Sequence, residues 1–255
     1  MAKILTARQA VDTYFYDGAT VTFGGFANGL MHPEEIMVAL EEAARSSGHP
    51  RGLRVVYASG QGDSGERGLN HLAVDGMCTT VIGGHWGLAP KLGGLAAENK
   101  LAAYNLPQGV ISGLFREIAA KRPGVITHVG LDTFVDPRLE GGKMNRAAHE
   151  AGDMVKLIEL EGEEKLFYPA FPIDIAVIRA TYADERGNCT FEREGVYAEA
   201  LAHAKALGIA TAEADGSFRP NDPVTRQDAM VFLLRAMQAV NRSVPNAYDS
   251  YLSRF

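Results

Sequence analysis

Apolar runs that each end in a glycine-rich loop and are followed by a helix, at a spacing of roughly 30 residues, leave a chain few ways to fold. Ala19-Thr20-Val21-Thr22-Phe23 is a β-branched and aromatic run leading into Gly24-Gly25-Phe26. Leu53 to Ala58 leads into Ser59-Gly60-Gln61-Gly62-Asp63, and Thr79 to Ile82 into Gly83-Gly84-His85-Trp86-Gly87. Between the first two, Pro33 opens the helical stretch PEEIMVALEEAARSSG, with acids in its first turn and apolar Ile36, Val38 and Leu40. The pattern predicts an α/β fold, an open and largely parallel sheet with crossover helices. Such sheets bind ligands just outside the carboxyl ends of their strands.

The remaining elements are read the same way. Thr6 to Val11 is a short helix capped by Thr6, Leu69 to Val74 is helical, and a helical segment follows Gly87. After Pro107-Gln108-Gly109 comes a helix, VISGLFREIAAKRPG, stopped by Pro123-Gly124. Val125 to Gly130, Asp153 to Leu160 and Ile173 to Ala180 are strands, and the last, IDIAVIRA, has the composition of a central parallel strand. Leu139-Glu140-Gly141-Gly142-Lys143 reads as flexible and Asp184 to Asn188 as a turn. Strand patterns stop after about residue 192, and a helix, a turn-rich loop from Asp215 to Pro223 and the helix TRQDAMVFLLRAMQAV follow. Thr225 and Asp228 form a variant capping box there. A boundary near Glu194 divides the chain into an α/β domain, 1–194, and a small all-α helix-loop-helix module, 195–255.

Bulk properties remove several functions. With 46% hydrophobic and 22% charged residues the 255-residue chain can bury a sizeable core. A net charge of −6 without a long basic block argues against nucleic acid. No window reaches about 18 uninterrupted apolar residues, so no membrane span is expected. The amino terminus lacks a signal-peptide pattern, and Cys78 and Cys189 lie far apart, so the expected location is the cytoplasm.

The stretch Val81 to Gly109 draws most attention as a site. Gln108, stiffened by Pro107, is either a pocket amide or a turn residue satisfying local backbone. His85 either packs locally or carries a proton. Glu98-Asn99 and Glu194-Gly195-Val196 each resemble a nucleophilic glutamate site, the first equally a solvated helix face and the second lying at the seam. Gly60-x-Gly62-x-x-Gly65 matches the dinucleotide spelling, but no apolar helix opens after it. His32, His71, His85 and His128 lack metal-ligand spacing and no CxxC occurs, so no metal is expected. The acids of Asp215 to Asp222 do not have the spacing of a calcium loop.

Two resemblances refine this reading. Asp17-Gly18-x-x-Val21-Thr22-Phe23-Gly24-Gly25-Phe26, GQGDSGERGLNH, VIGGHWGLAPKL, ENKLAAYNLPQGVI, THVGLDTFVDPRLEGGKMN, LFYPAFPIDIAVIR and TYADERGN occur in that order. Residues 1–193 thereby resemble the amino-terminal, α-type half of family I CoA-transferases, in particular the acetate/propionate branch. The resemblance implies transfer of CoA from an acyl-CoA to a small carboxylate through acyl-glutamyl anhydride and glutamyl-CoA intermediates, with CoA as part of the substrate and no other cofactor. It implies that Gln108 donates to the tetrahedral oxyanions. Gly24, Gly25 and Phe26 would line the pocket, the glycines admitting substrate beside the backbone, with Gly83, Gly84 and His85 on the same wall.

The second resemblance is to the S-layer homology module, carried by ALGIATAEADGSFRPNDPVTRQDAMVFLLRAM, with SYLSRF like the start of another copy. It implies binding of cell-wall polysaccharide near Thr225 and Arg226, at odds with a cytoplasmic location. The CoA-transferase glutamate belongs to the carboxy-terminal half of that family. The expectation is therefore a truncated, fused or misassembled chain, inactive alone unless a complementing β-type half is supplied. It is also expected to form homo-oligomers through the apolar surface that half would cover.

Overall fold

The computed structural model describes residues 4–26, 32–184 and 189–190. Helix α1 (Ala7–Tyr14) begins at a capping box in which Thr6 accepts from the Gln9 amide and the Gln9 side chain accepts from that of Thr6. There follow β1 (Thr20–Phe23), α2 (Glu34–Ser47), β2 (Leu53–Tyr57), a 3-10 turn (Leu69–Leu72) and β3 (Cys78–Gly83). Next come α3 (Pro90–Ala97), β4 (Ala102–Asn105) and α4 (Gln108–Ala119). The expected helix over 69–74 is thus only the short 3-10 turn.

Four of these strands and β8 (Ile175–Val177) form a five-stranded sheet in the order β4-β3-β2-β1-β8, every pair parallel. Alternation of side chains sends β2, β3 and β4 into two cores. Val21, Phe23, Leu53, Val55, Tyr57, Val81 and Ala103 face one core with Met37 and Leu40 of α2 and Leu92 of α3. Val56, Ile82, Ala102 and Tyr104 face the other with Val110, Ile111, Leu114 and Phe115 of α4. The apolar run IDIAVIRA does not occupy the centre. Its strand β8 is the last in the sheet order and half-buried, so composition alone misplaced it. The chain steps outward from β1 to β4 and returns on the other side as β8, which makes the β1–β8 junction the point where strand order reverses.

A second sheet stands apart. Strands β5 (Gly124–Thr127), β6 (Lys156–Leu160) and β7 (Glu163–Pro169) pair antiparallel in the order β5-β7-β6, with helix α5 (Arg146–Ala151) between β5 and β6 in sequence. Strands β6 and β7 meet at Glu161 and Gly162, both with positive φ (54° and 77°), the backbone of a tight hairpin. Leu166 and Tyr168 bury the inner face of this lobe against α4 and β4. A two-stranded pair, β9 (Tyr182–Ala183) with β10 (Cys189–Thr190), ends the described region antiparallel. The boundary near Glu194 and the module after it lie outside the described residues.

The segment around Leu139 to Lys143, expected to be flexible, is instead pinned. Asn105 N–H donates to Gly142 O at 2.8 Å and Met144 N–H to Ala103 O at 2.9 Å, closing the open edge of β4. Its anchor is Asp136, fully buried, whose carboxylate accepts from the Asp132 and Arg138 amides and from two nitrogens of the Arg138 guanidinium. Arg138 continues to Glu164 of β7 at 2.9 Å, tying loop to lobe. A further junction joins α2 to the 3-10 turn, where the His71 ring lies between Glu41 and Glu34.

The hydrogen bonds from Arg138 hold the Asp136 carboxyl well below the usual carboxylate range. A depressed folded pKa stabilises the fold above the unfolded value and loses that contribution as pH falls further. Asp136→Asn should therefore cost about 2 kcal/mol at neutral pH by thermal or urea unfolding. The gap to wild type should stay constant down to about pH 5 and narrow below about pH 4, where the unfolded aspartate protonates.

Candidate active site

The order of the sheet lays four loops side by side at the carboxyl ends of their strands. Leu106 to Gln108 follows β4, Gly84 to Gly87 follows β3, Ala58 to Gly62 follows β2, and Gly24 to Phe26 follows β1. Strand pairing continues into these loops. Leu106 N–H donates to Gly83 O at 3.0 Å, Gly84 N–H to Tyr57 O at 3.2 Å and Gly24 N–H to Val177 O at 2.8 Å. The indole of Trp86 donates to Tyr104 O at 3.3 Å, locking the β3 loop onto β4.

The glycines of these loops are closely packed against the rest of the chain. A Cβ on Gly24 would stand 3.0 Å from Ile178 Cγ2, and one on Gly25 2.6 Å from Gln61 Oε1 and 2.9 Å from His32 Cδ2. At Gly83 the space is filled by the Tyr57 phenol at 2.3 Å, and at Gly84 by Ala58 O at 2.2 Å and Gln108 Cγ at 2.5 Å. None of the four has the left-handed φ that favours glycine. Their missing side chains leave room for neighbouring atoms of the same chain: side chains at Gly24, Gly25 and Gly83, and both Ala58 O and a side chain at Gly84. Phe26 is 41% exposed.

Gln108 is the first residue of α4, set by Pro107 at its N-cap, and its exposed side chain lies along Gly84. With the described residues that side chain forms no hydrogen bond, so the alternative of a turn amide satisfying local backbone has no support there. Pro107, the helix start and the contact at Gly84 fix where the Gln108 side chain leaves the backbone, at the carboxyl end of β4. His85, also exposed, is the next residue after Gly84 toward the β2 loop.

Gln61, which sequence reasoning did not single out, ties two of these loops together. Its side chain is buried, donates to Phe23 O at 2.8 Å and directs Oε1 at Gly25, where that oxygen accepts no hydrogen bond from a described residue. It thereby fixes the β1 loop to the β2 loop. A polar residue between two glycines directly after a buried strand was the available signal. One glycine of the dinucleotide spelling, and Gly68 just beyond it, have a packing reason: a Cβ on Gly62 would stand 2.0 Å from Leu88 O, and one on Gly68 2.8 Å from Gln61 O. These glycines allow backbone to pack on backbone, and the loop opens no helix for a pyrophosphate.

Other candidates fall away from the crevice. Glu98 is the C-cap of α3 and pairs with Lys100, which also pairs with Asp75; these residues precede β4 and so lie at its amino end, opposite Gln108. Cys78 is buried, and burial pushes its thiol up to about 12, which leaves it inert. Among the described residues no cluster of His, Cys, Asp and Glu could hold a metal ion. No described helix is long and apolar enough to cross a membrane. Glu194, Thr225 and Arg226 lie outside the described residues.

Comparison with known proteins identifies the family. The caffeate CoA-transferase of Acetobacterium woodii is 49% identical over 207 residues, which are 81% of this chain and 38% of that protein. An acyl-CoA transferase of Escherichia coli O157:H7, solved as a thioester complex with CoA, superposes with a TM-score of 0.77 at 40% identity, covering 81% of this chain and 42% of that one. The α subunit of an acetate CoA-transferase of Escherichia coli K12 is 27% identical over 74% of this chain and 75% of its own length. The chain thus spans about two fifths of the single-chain relatives and most of a separate α subunit. The coenzyme A transferase family model matches residues 4–221, and the chain belongs to that family.

Proposed function

We propose that this chain forms the α-type half of a CoA-transferase active site, in the acetate/propionate branch of the family. It takes an acyl-CoA and a small carboxylic acid, and Gln108 donates to the oxyanion formed at each acyl transfer. The observation that carries this reading is the unbonded Gln108 amide fixed against Gly84 at the carboxyl end of β4. It receives support from the 40% identical relative whose structure is a thioester complex with CoA. In the reaction a glutamate carboxylate attacks the thioester, expels the CoA thiolate and forms an anhydride. The thiolate then attacks the glutamyl carbonyl, releasing the first acid, and the second acid reverses the sequence. Each tetrahedral centre places negative charge on one oxygen, and a preorganised donor lowers its energy most where water is excluded.

The glutamate is assigned to the carboxy-terminal half of the family, which the name of the E. coli α subunit suggests is a separate chain in that protein. By themselves the 255 residues are expected not to exchange acetate with acyl-CoA, and a mixture with a complementing β-type half is expected to do so. Isotope exchange between labelled acetate and acetyl-CoA measures both. The location that fits such substrates is the cytoplasm. Exposed Ile126, Phe134, Leu139, Met144 and Leu160 accord with self-association of the isolated chain.

A second role rests on resemblance alone: the S-layer homology module over 195–240, with Thr225 and Arg226 touching wall polysaccharide. Retention of the chain on purified cell walls, lost in Arg226→Ala, is its test, and no retention ends it.

In the complemented enzyme, Gln108→Ala should lower kcat by about 100-fold or more with a small change in KM for acyl-CoA, the pattern for a donor used in the transition state. Gly84→Ala should produce part of the same loss without removing any polar group. Its new Cβ would meet Ala58 O and Gln108 Cγ, and the overlap should also cost about 1–3 kcal/mol of stability. Steady-state kinetics and thermal melts separate the two effects.

A further inference from the structure

His85 sits in a cradle made for its ring. A Cβ on Gly60 would stand 2.4 Å from His85 Nδ1, and one on Gly87 3.1 Å from Cε1 and 3.4 Å from Nε2. Neither glycine has a left-handed φ, so backbone conformation does not call for glycine at either position; the imidazole does. The ring is exposed nonetheless, and it makes no hydrogen bond or ion pair with the described residues. A side chain held from both sides, one residue from Gly84 and free of partners, is placed to meet something from solvent.

We propose that His85 donates an N–H to the carboxylate of the acid substrate, forming with Gln108 a two-donor seat for that group; this rests on the functional reading above. The neighbourhood selects the carboxylate over the other anionic groups of the substrates. Gly84 touches the Gln108 side chain directly, and His85 is the residue that follows it at the carboxyl end of β3. The phosphates of CoA are separated from its sulfur by the whole pantetheine arm and cannot reach a group beside Gln108 while the thioester is there. A carboxylate has two oxygens, and an amide and an imidazole on adjacent strand ends supply one donor to each. A hydrogen bond to an ionised acceptor is stronger than a neutral one, which gives the seat a preference for the acid over its ester or amide. Gln108 keeps its place when that carboxyl becomes a tetrahedral centre, and His85 sets where the acid starts.

The test uses the full 255-residue chain, labelled with nitrogen-15 and titrated separately with sodium acetate and acetyl-CoA. Acetate should move the His85 ring and the Gln108 side-chain amide resonances with one common affinity. His85→Ala should weaken acetate by about tenfold. His85→Phe, which refills the cradle with a ring that has no N–H, should weaken it equally, while acetyl-CoA still moves the Gln108 amide. Gly60→Ala, which displaces the ring, should also weaken acetate. Unchanged acetate affinity in His85→Phe would overturn the proposal, because packing alone would then explain the cradle. If acetyl-CoA moves the Gln108 amide and acetate moves neither resonance, the role of His85 falls and the CoA-transferase reading stands. If neither ligand perturbs Gln108, both fall.

Discussion

Everything at the carboxyl end of the sheet depends on side chains resting where a neighbouring residue has no Cβ. Tyr57 occupies the space beside Gly83, Gln61 that beside Gly25, Gln108 that beside Gly84, and His85 that beside Gly60. These contacts run between adjacent strands, so each loop is positioned by the loop of its neighbour. Interiors packed this closely transmit displacement, because there is no void to absorb it. The parallel sheet supplies the frame for this arrangement. Both of its faces are buried, and its hydrogen bonding continues past the strand ends into the loops.

The lobe of β5, β6 and β7 is held by a different force. Its inner face is apolar, but its link to the rest passes through the fully buried Asp136 and through Arg138, which reaches Glu164. A buried carboxylate is tolerable only when its oxygens are satisfied, and four donors satisfy this one. The same loop closes the edge of β4, where an exposed strand could otherwise pair with another chain. Order in the segment around Gly141 and Gly142 therefore comes from contacts distant in sequence, which is why a run of glycines read as flexible.

The parallel sheet was legible because its strands carry β-branched runs punctuated by glycine, a signal contained within each 30-residue unit. The antiparallel lobe was less so. Glu163–Pro169 begins with two acids and a lysine, and its strand character comes from a tight turn at Glu161-Gly162 and from burial of Leu166 and Tyr168 under α4. The apolar run at 173–180 was read correctly as strand and wrongly as central, since composition does not encode which neighbours a strand finds. In the site, Gln108 could be named from the proline before it and the family motif around it. Gln61 could not, because its importance lies in a bond to Phe23 O, 38 residues away in sequence. For the glycines, the sequence shows a missing side chain but not which neighbouring atoms of the chain fill the space.

The cradle arrangement also bears on how such a site changes over evolutionary time. A pocket whose floor is fixed by glycines packed against one another's neighbours offers few single steps that preserve it, since any larger residue moves a second loop before it meets a ligand. Its rim is under no such restriction: Phe26 is exposed and has room to vary. Change at these loop ends should accordingly begin at exposed positions and move inward. The residues least free to drift are ones that need never touch a substrate.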